Sequence, residues 1–180
     1  MKCAVLCNGP SRILYEPSPE YGFVIGCNIP WTKVDATVIL DEQVIRLWAK
    51  KPDIITVPAY FSVKAWAETD AIKKRDFFRP YLIKRITPKY PYHSSGHNAV
   101  EQMIREGYTE IDIFGCDSYY SKIGRSYTRT HIKDGGVQDG DMKAIQGWRD
   151  RWNEIMNNHP EVTLNFIRES TQNNGEVNEQ

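Results

Sequence analysis

Five clusters of small polar residues occupy places where a chain can do chemistry. Asn8-Gly9-Pro10-Ser11 follows the apolar run Met1 to Cys7, and Asn28 follows Tyr21 to Cys27. Asp41 follows Val34 to Leu40, and Asp117-Ser118-Tyr119-Tyr120 follows Glu110 to Cys116. Ser94-Ser95-Gly96 opens a segment in which Ala99, Val100, Met103 and Ile104 recur at helical spacing. Short amide, hydroxyl and carboxylate side chains can bond a ribose or a phosphate. Gly9 has no Cβ and lets a ligand approach the backbone. A helix N-terminus behind Ser94 and Ser95 favours an anion through its dipole and its N–H groups. Each cluster also has a plain structural reading, as a turn or as an N-cap. Their recurrence behind successive strands is the informative feature, because open α/β sheets bind ligands outside the carboxyl ends of their strands. The first loop is neither a Walker loop nor a Gly-x-Gly-x-x-Gly turn.

Further groups stand outside this pattern. Residues 121–140 form a long polar loop with Tyr127 and His131, and loops of that length are commonly functional. Histidine titrates near neutrality and suits a general base; a surface histidine is the alternative. His93 and His97 flank the serine pair as secondary candidates, and His159 beside Pro160 reads as a cap or surface residue. Asp139-Gly140-Asp141 could be a metal-binding Asp-x-Asp or the N-cap of the next helix. Trp31 could stack on a base. Lys73 to Lys89 carries seven basic residues against Asp76 alone, either a solvated face or a patch for a phosphorylated substrate or nucleic acid.

The elements that position these groups follow from periodicity. Strands are expected at Met1 to Cys7, Tyr21 to Cys27, Val34 to Leu40, Asp53 to Val57, Tyr81 to Ile86, Glu110 to Cys116 and Val162 to Ile167. Helices are expected at Glu42 to Lys50, Tyr60 to Glu68, Ser94 to about Glu106 with Gly107 as left-handed cap, and Met142 to about Asn158. This alternation predicts a mostly parallel sheet with helices on both faces. Residues 1–168 read as one domain and 169–180 as a disordered polar tail. Lys+Arg and Asp+Glu both number 23, so no overall field favours nucleic acid or an anionic membrane. No apolar run reaches the roughly 20 residues of a membrane span, and Met1-Lys2 leads into a strand rather than a signal peptide. Four cysteines without a Cys-x-x-Cys pair read as reduced, buried thiols of a cytoplasmic protein, with disulfides or a zinc site as the alternative.

Taken in order, Asn8-Gly9-Pro10-Ser11, Gly26-Cys27-Asn28, Ser94-Ser95-Gly96, Gly107-Tyr108-Thr109-Glu110-Ile111 and Gly115-Cys116-Asp117-Ser118-Tyr119 resemble the bacterial lipooligosaccharide sialyltransferases. The same layout is similar to the related pterin diphosphokinase and motility-accessory glycosylation family. The resemblance implies a Rossmann-like fold and metal-independent transfer from a CMP-sugar to a hydroxyl acceptor, with no further cofactor. It implies that Asn8, Ser11, Asn28 and Ser95 contact the nucleotide and its ribose; the strand-end pattern places Gly9, Pro10, Ser94, Gly96 and Asp117 in the same cleft. Tyr119 or Tyr120, with Tyr127, would bond the departing phosphate, and His131 would be the general base. A diphosphokinase would instead need Mg²⁺ on acids such as Asp41 and Asp117, and a non-catalytic nucleotide-binding protein is the third reading.

Overall fold

The computed structural model describes residues 1–88, 93–119, 125–126, 138–139 and 142–168. Seven strands build one sheet: β1 (Lys2–Leu6), β2 (Val24–Cys27), β3 (Ala36–Ile39), β4 (Ala59–Ser62), β5 (Leu82–Ile86), β6 (Glu110–Phe114) and β9 (Thr163–Phe166). Their order is β5-β4-β3-β2-β1-β6-β9, and every pairing is parallel. The short strands β7 (Arg125–Ser126) and β8 (Gln138–Asp139) pair antiparallel, apart from that sheet. The helices are α1 (Glu42–Lys50), α2 (Val63–Ala71), α3 (Arg75–Phe78), α4 (Ser95–Arg105) and α5 (Met142–Asn158). This is the expected α/β, Rossmann-like arrangement.

Strand residues alternate between two covered faces, so the inner strands read as nearly continuous apolar runs. Cys3, Val5, Cys7, Ile25, Cys27, Val38, Ile111 and Ile113 pack against Ala99, Val100 and Met103 of α4 and Trp152 and Ile155 of α5. On the other face Ile39, Ala59 and Phe61 lie under α1, α2 and α3. Ala4, Leu6 and Phe114 lie there under Tyr15 and Val34. Parallel crossovers are right-handed. The chain steps outward from β1 to β5 with its covers on one face. It then returns past β1 to β6, and the crossovers through α4 and α5 fall on the other face.

Two elements differ from the expectation. Asp53 to Val57 is not a strand: Pro52 starts a 3-10 turn over Pro52–Ile54, and pairing begins only at Ala59, after Pro58, which has no N–H to donate. The helix expected from Tyr60 starts at Val63. Ala59–Ser62 is fully buried as a strand, and Ser62 Oγ then caps α2 by accepting the Ala65 N–H at 2.9 Å. Of the basic segment, Lys73 and Lys74 precede α3, Arg75 lies in it and Arg79 follows it, and Lys84 and Arg85 are exposed on the edge strand β5; Lys89 lies outside the described residues. Charge on an edge strand discourages pairing with another chain. Residues 169–180 lie outside the described residues. Among the described residues no helix is long and apolar enough to cross a membrane.

The face under α1 is aromatic. Trp48 stacks on Phe61 at 6.1 Å between centroids and meets Phe78 edge-on at 5.0 Å. Its indole N–H donates to the Pro52 carbonyl at 3.3 Å. Trp48→Ala removes these contacts from a fully buried position. It is expected to cost about 3–5 kcal/mol in a urea titration; a loss below about 1 kcal/mol would contradict this packing.

Candidate functional site

The chain reverses direction between β1 and β6. Their neighbouring carboxyl ends form the switch point where open α/β sheets hold ligands. The loop leaving β1 and the loop leaving β6 meet there. The Gly9 N–H donates to the Gly115 carbonyl at 2.8 Å, and the Ser11 N–H donates to Asp117 Oδ2 at 3.0 Å. A Cβ on Gly9 would stand 2.1 Å from Asp117 Oδ2 and 2.5 Å from the Gly115 carbonyl. Gly115 turns the chain with φ +71°, and a Cβ there would stand 2.6 Å from the Cys7 carbonyl. Both glycines therefore serve loop-to-loop contact. The room expected above Gly9 for a ligand is, on its Cβ side, occupied by Asp117.

The other predicted residues extend this junction sideways. Asn8 Nδ2 donates to the Cys27 carbonyl at 2.7 Å, tying the β1 loop to the end of β2. Asn28 holds a left-handed backbone at φ 61°. That conformation is uncommon for residues other than glycine, and asparagine is enriched in it. Three bonds hold it there: its N–H donates to the Val38 carbonyl, its carbonyl accepts the Thr37 hydroxyl at 2.8 Å, and its Oδ1 accepts the Ser95 hydroxyl at 3.3 Å. Backbone strain of this kind is stored at functional sites when the surroundings enforce it. Ser95 thus carries the N-terminus of α4 onto the β2 end. Gly96 sets the depth of that seat, because a Cβ on it would stand 2.8 Å from Cys7 Sγ.

The first turn of α4 leaves the N–H groups of Ser95 and Gly96 without carbonyls inside the helix. They lie at the positive end of the helix dipole, in the turn that Ser95 bonds to Asn28. Ser94 is the N-cap, and His97 completes a capping box where Glu or Gln is usual. The Ser94 N–H donates to His97 Nδ1 at 3.0 Å. Because Nδ1 accepts, the ring proton lies on Nε2, which donates to the Trp148 carbonyl of α5 at 2.9 Å. The ring is fully buried against Trp152, and burial pushes its pKa down to about 3. His97 is therefore a neutral strut between α4 and α5.

On the β6 side, Tyr119 stacks on Phe166 at 4.4 Å and its hydroxyl donates to Asn153 Oδ1 at 3.4 Å. Arg149 Nε donates to the Ser118 carbonyl at 3.0 Å. Asn8, Gly9, Pro10, Ser11, Asn28, Ser94, Ser95, Gly96, Asp117 and Tyr119 thus gather around one edge of the sheet. Tyr120, Tyr127 and His131 lie outside the described residues. Asp41 stands at the N-cap of α1 behind β3. That strand is three positions from β6, roughly 14 Å at the usual spacing, so Asp41 and Asp117 do not meet. Of the Asp139-Gly140-Asp141 motif, Asp139 ends β8, and Gly140 and Asp141 lie outside the described residues. At Trp31 the Arg12 guanidinium lies 5.2 Å over the ring and Tyr15 meets it edge-on. Trp31 borders a separate cavity of about 380 Å³ with Lys33, Asp53 and Thr56, between the connections leading into β3 and β4. His159 pairs with Glu161 at the surface.

Thr37 was not among the sequence candidates, although a threonine inside an apolar strand is the kind of signal that marks a buried bond. The convergence of Cys7, Cys27 and Cys116 was also not anticipated, despite the repeated Gly-Cys ahead of Asn28 and Asp117. Comparisons with protein-family models, with curated proteins and with solved structures find no match.

Two outcomes follow. Gly9→Ala should lose about 1–3 kcal/mol of stability, since a carboxylate and a backbone carbonyl must both move. Gly22→Ala, whose nearest contact would be an ordinary 3.7 Å, serves as control; equal losses would contradict the loop contact. His97 binds a proton unfolded, near its usual pKa of about 6.5, but not folded until about pH 3. Its stabilising contribution is thus complete above about pH 6.5 and falls by up to about 1.4 kcal/mol per unit as pH drops through that window. Urea titrations of wild type and His97→Gln between about pH 4 and 7 should show this slope in the wild type only.

Proposed function

We propose that the chain binds a nucleoside phosphate at the β1–β6 switch point and transfers the sugar it carries to a hydroxyl acceptor without a metal. One observation carries the reading. The loops after β1, β2 and β6 and the N-terminus of α4 are bonded to one another at a single edge, which brings the first turn of α4, with its Ser95 and Gly96 N–H groups, to that edge. Such an N–H pair at a helix start suits a phosphate. The motif order resembling the sialyltransferases supports a nucleotide sugar as donor.

The chemistry is a displacement. The acceptor oxygen forms a bond to the anomeric carbon, the bond from that carbon to the phosphate oxygen breaks, and the nucleotide departs with the electron pair. Charge grows on the phosphate, so donors fixed around it lower the barrier. The α4 N–H groups supply two of these. Tyr119 is engaged by Asn153 and Phe166, so the hydroxyl donors assigned to the leaving group are Tyr120 and Tyr127. His131 takes the acceptor proton as its oxygen attacks, a role worth typically 10²–10⁴ in rate. Asp117 holds the β1 loop in place through the Ser11 N–H.

A thermal-shift series with nucleoside mono-, di- and triphosphates and nucleotide sugars tests this, with EDTA or Mg²⁺ present. A ligand at a hundred times its Kd contributes about 2.7 kcal/mol, or about 5–10 °C for a domain of this size. CMP or a CMP-sugar is expected to give that shift in EDTA, and His131→Ala to keep it while losing turnover. A shift confined to ATP with Mg²⁺ would favour a diphosphokinase. No shift with any nucleotide would remove the proposed site. Full turnover by His131→Ala would remove the assigned base.

A further inference from the structure

Three thiols meet beneath the α4 N-terminus. Cys7, Cys27 and Cys116 end or follow the adjacent strands β1, β2 and β6, and all three are buried and free. The register of β1 with β2 pairs Leu6 with Gly26, which sets Cys7 directly opposite Cys27. Both side chains belong to the face covered by α4 and α5. Neighbouring strands lie about 4.8 Å apart. Disulfides span Cα separations of roughly 4.4–6.8 Å, so the pair is within bonding reach.

Local chemistry distinguishes the sulfurs. The thiols of Cys116 and Cys27 both donate to Cys7 Sγ and hold Cys7 well below the ordinary thiol range. As donors to it, Cys27 and Cys116 are held above that range. The α4 N-terminus rests on the same sulfur at Gly96, and a helix N-terminus favours a thiolate. Cys116 follows the turn at Gly115 rather than standing in register with Cys7, which faces Gly115, and Trp152 also bonds its sulfur. Cys3 lies earlier on β1, and burial raises its thiol to about 12.

We propose that Cys7 and Cys27 are an oxidisable pair that a hydroperoxide closes into a cross-strand disulfide, and that closure unseats the α4 N-terminus and weakens phosphate binding. The Cys7 thiolate attacks a peroxide oxygen, the O–O bond breaks, and the departing oxygen takes a proton, leaving Cys7 as a sulfenic acid. Cys27 sulfur then attacks Cys7 sulfur. The S–O bond breaks, water leaves with the Cys27 proton, and the S–S bond forms. Two thiols lose two electrons and the peroxide gains them. Cys7 Sγ is drawn toward β2, and the contact that fixes Gly96 is lost. The effect on phosphate binding rests on the nucleotide reading above; the cross-link does not.

The test treats the full chain with hydrogen peroxide, alkylates the remaining thiols and maps unreduced peptides by mass. The expected result is loss of two of the four thiols and a Cys7–Cys27 cross-linked peptide. Cys116→Ser should retain this cross-link and Cys27→Ser should abolish it. The oxidised protein should lose the CMP thermal shift and regain it with dithiothreitol. Four alkylated thiols, or a cross-link between any other pair, would overturn the proposal, as would an unchanged CMP shift in fully cross-linked protein. A reduced protein without any CMP shift would count against the nucleotide reading, while the peptide map would still decide the thiol pair.

Discussion

The close contact between the loops leaving β1 and β6 governs the rest of the carboxyl edge. It occurs where the order of the strands reverses, so two neighbouring strands send their chains apart and leave a crevice between them. Only glycine at positions 9 and 115 lets the two backbones come so near. Their approach brings Asp117 under Ser11. Asn8 then reaches the end of β2, and Asn28 there receives Ser95 from α4. Each bond fixes the partner that makes the next one. Loosening the first would leave the N-terminus of α4 without a defined seat.

Below that edge the arrangement is tight and largely uncharged. His97 is held neutral between α4 and α5 by burial, although histidine is the side chain best suited to carry charge near neutrality. Its place in the capping box explains why: Nδ1 must accept the Ser94 N–H, and Nε2 must donate to α5. A protonated ring would break the first bond. The thiols of Cys7, Cys27 and Cys116 fill the neighbouring space, where their small size lets Gly96 come down onto the sheet. The seat of the helix thus depends on the contact between the Cys7 sulfur and the first turn of α4.

Much of this was legible in the sequence, for identifiable reasons. The strands through Val5, Ile25, Val38 and Ile113 are buried on both faces, and their continuous apolar runs announced them. The helix behind Ser94 and Ser95 carried its own cap and its own stop at Gly107, which takes φ 89°. Those signals also placed Asn8, Asn28 and Asp117 at strand ends. The region from Asp53 to Glu68 was misread because Ile54, Ile55 and Val57 match a strand in composition. Pro52 and Pro58 move the pairing onward, and Ser62 delays the helix. Composition alone also could not separate a glycine that admits a ligand from one that admits a neighbouring loop. That distinction at Gly9 depends on residues more than a hundred positions away.

Hydrogen–deuterium exchange of the protein with and without saturating CMP, read by mass spectrometry, locates the ligand directly. The switch-point account predicts slowed exchange in peptides covering residues 7–12, 26–28, 94–98 and 115–119, with the remaining described peptides unchanged. Slowed exchange confined to residues 30–34 and 53–57, around the Trp31 cavity, would contradict it, as would unchanged exchange throughout the chain.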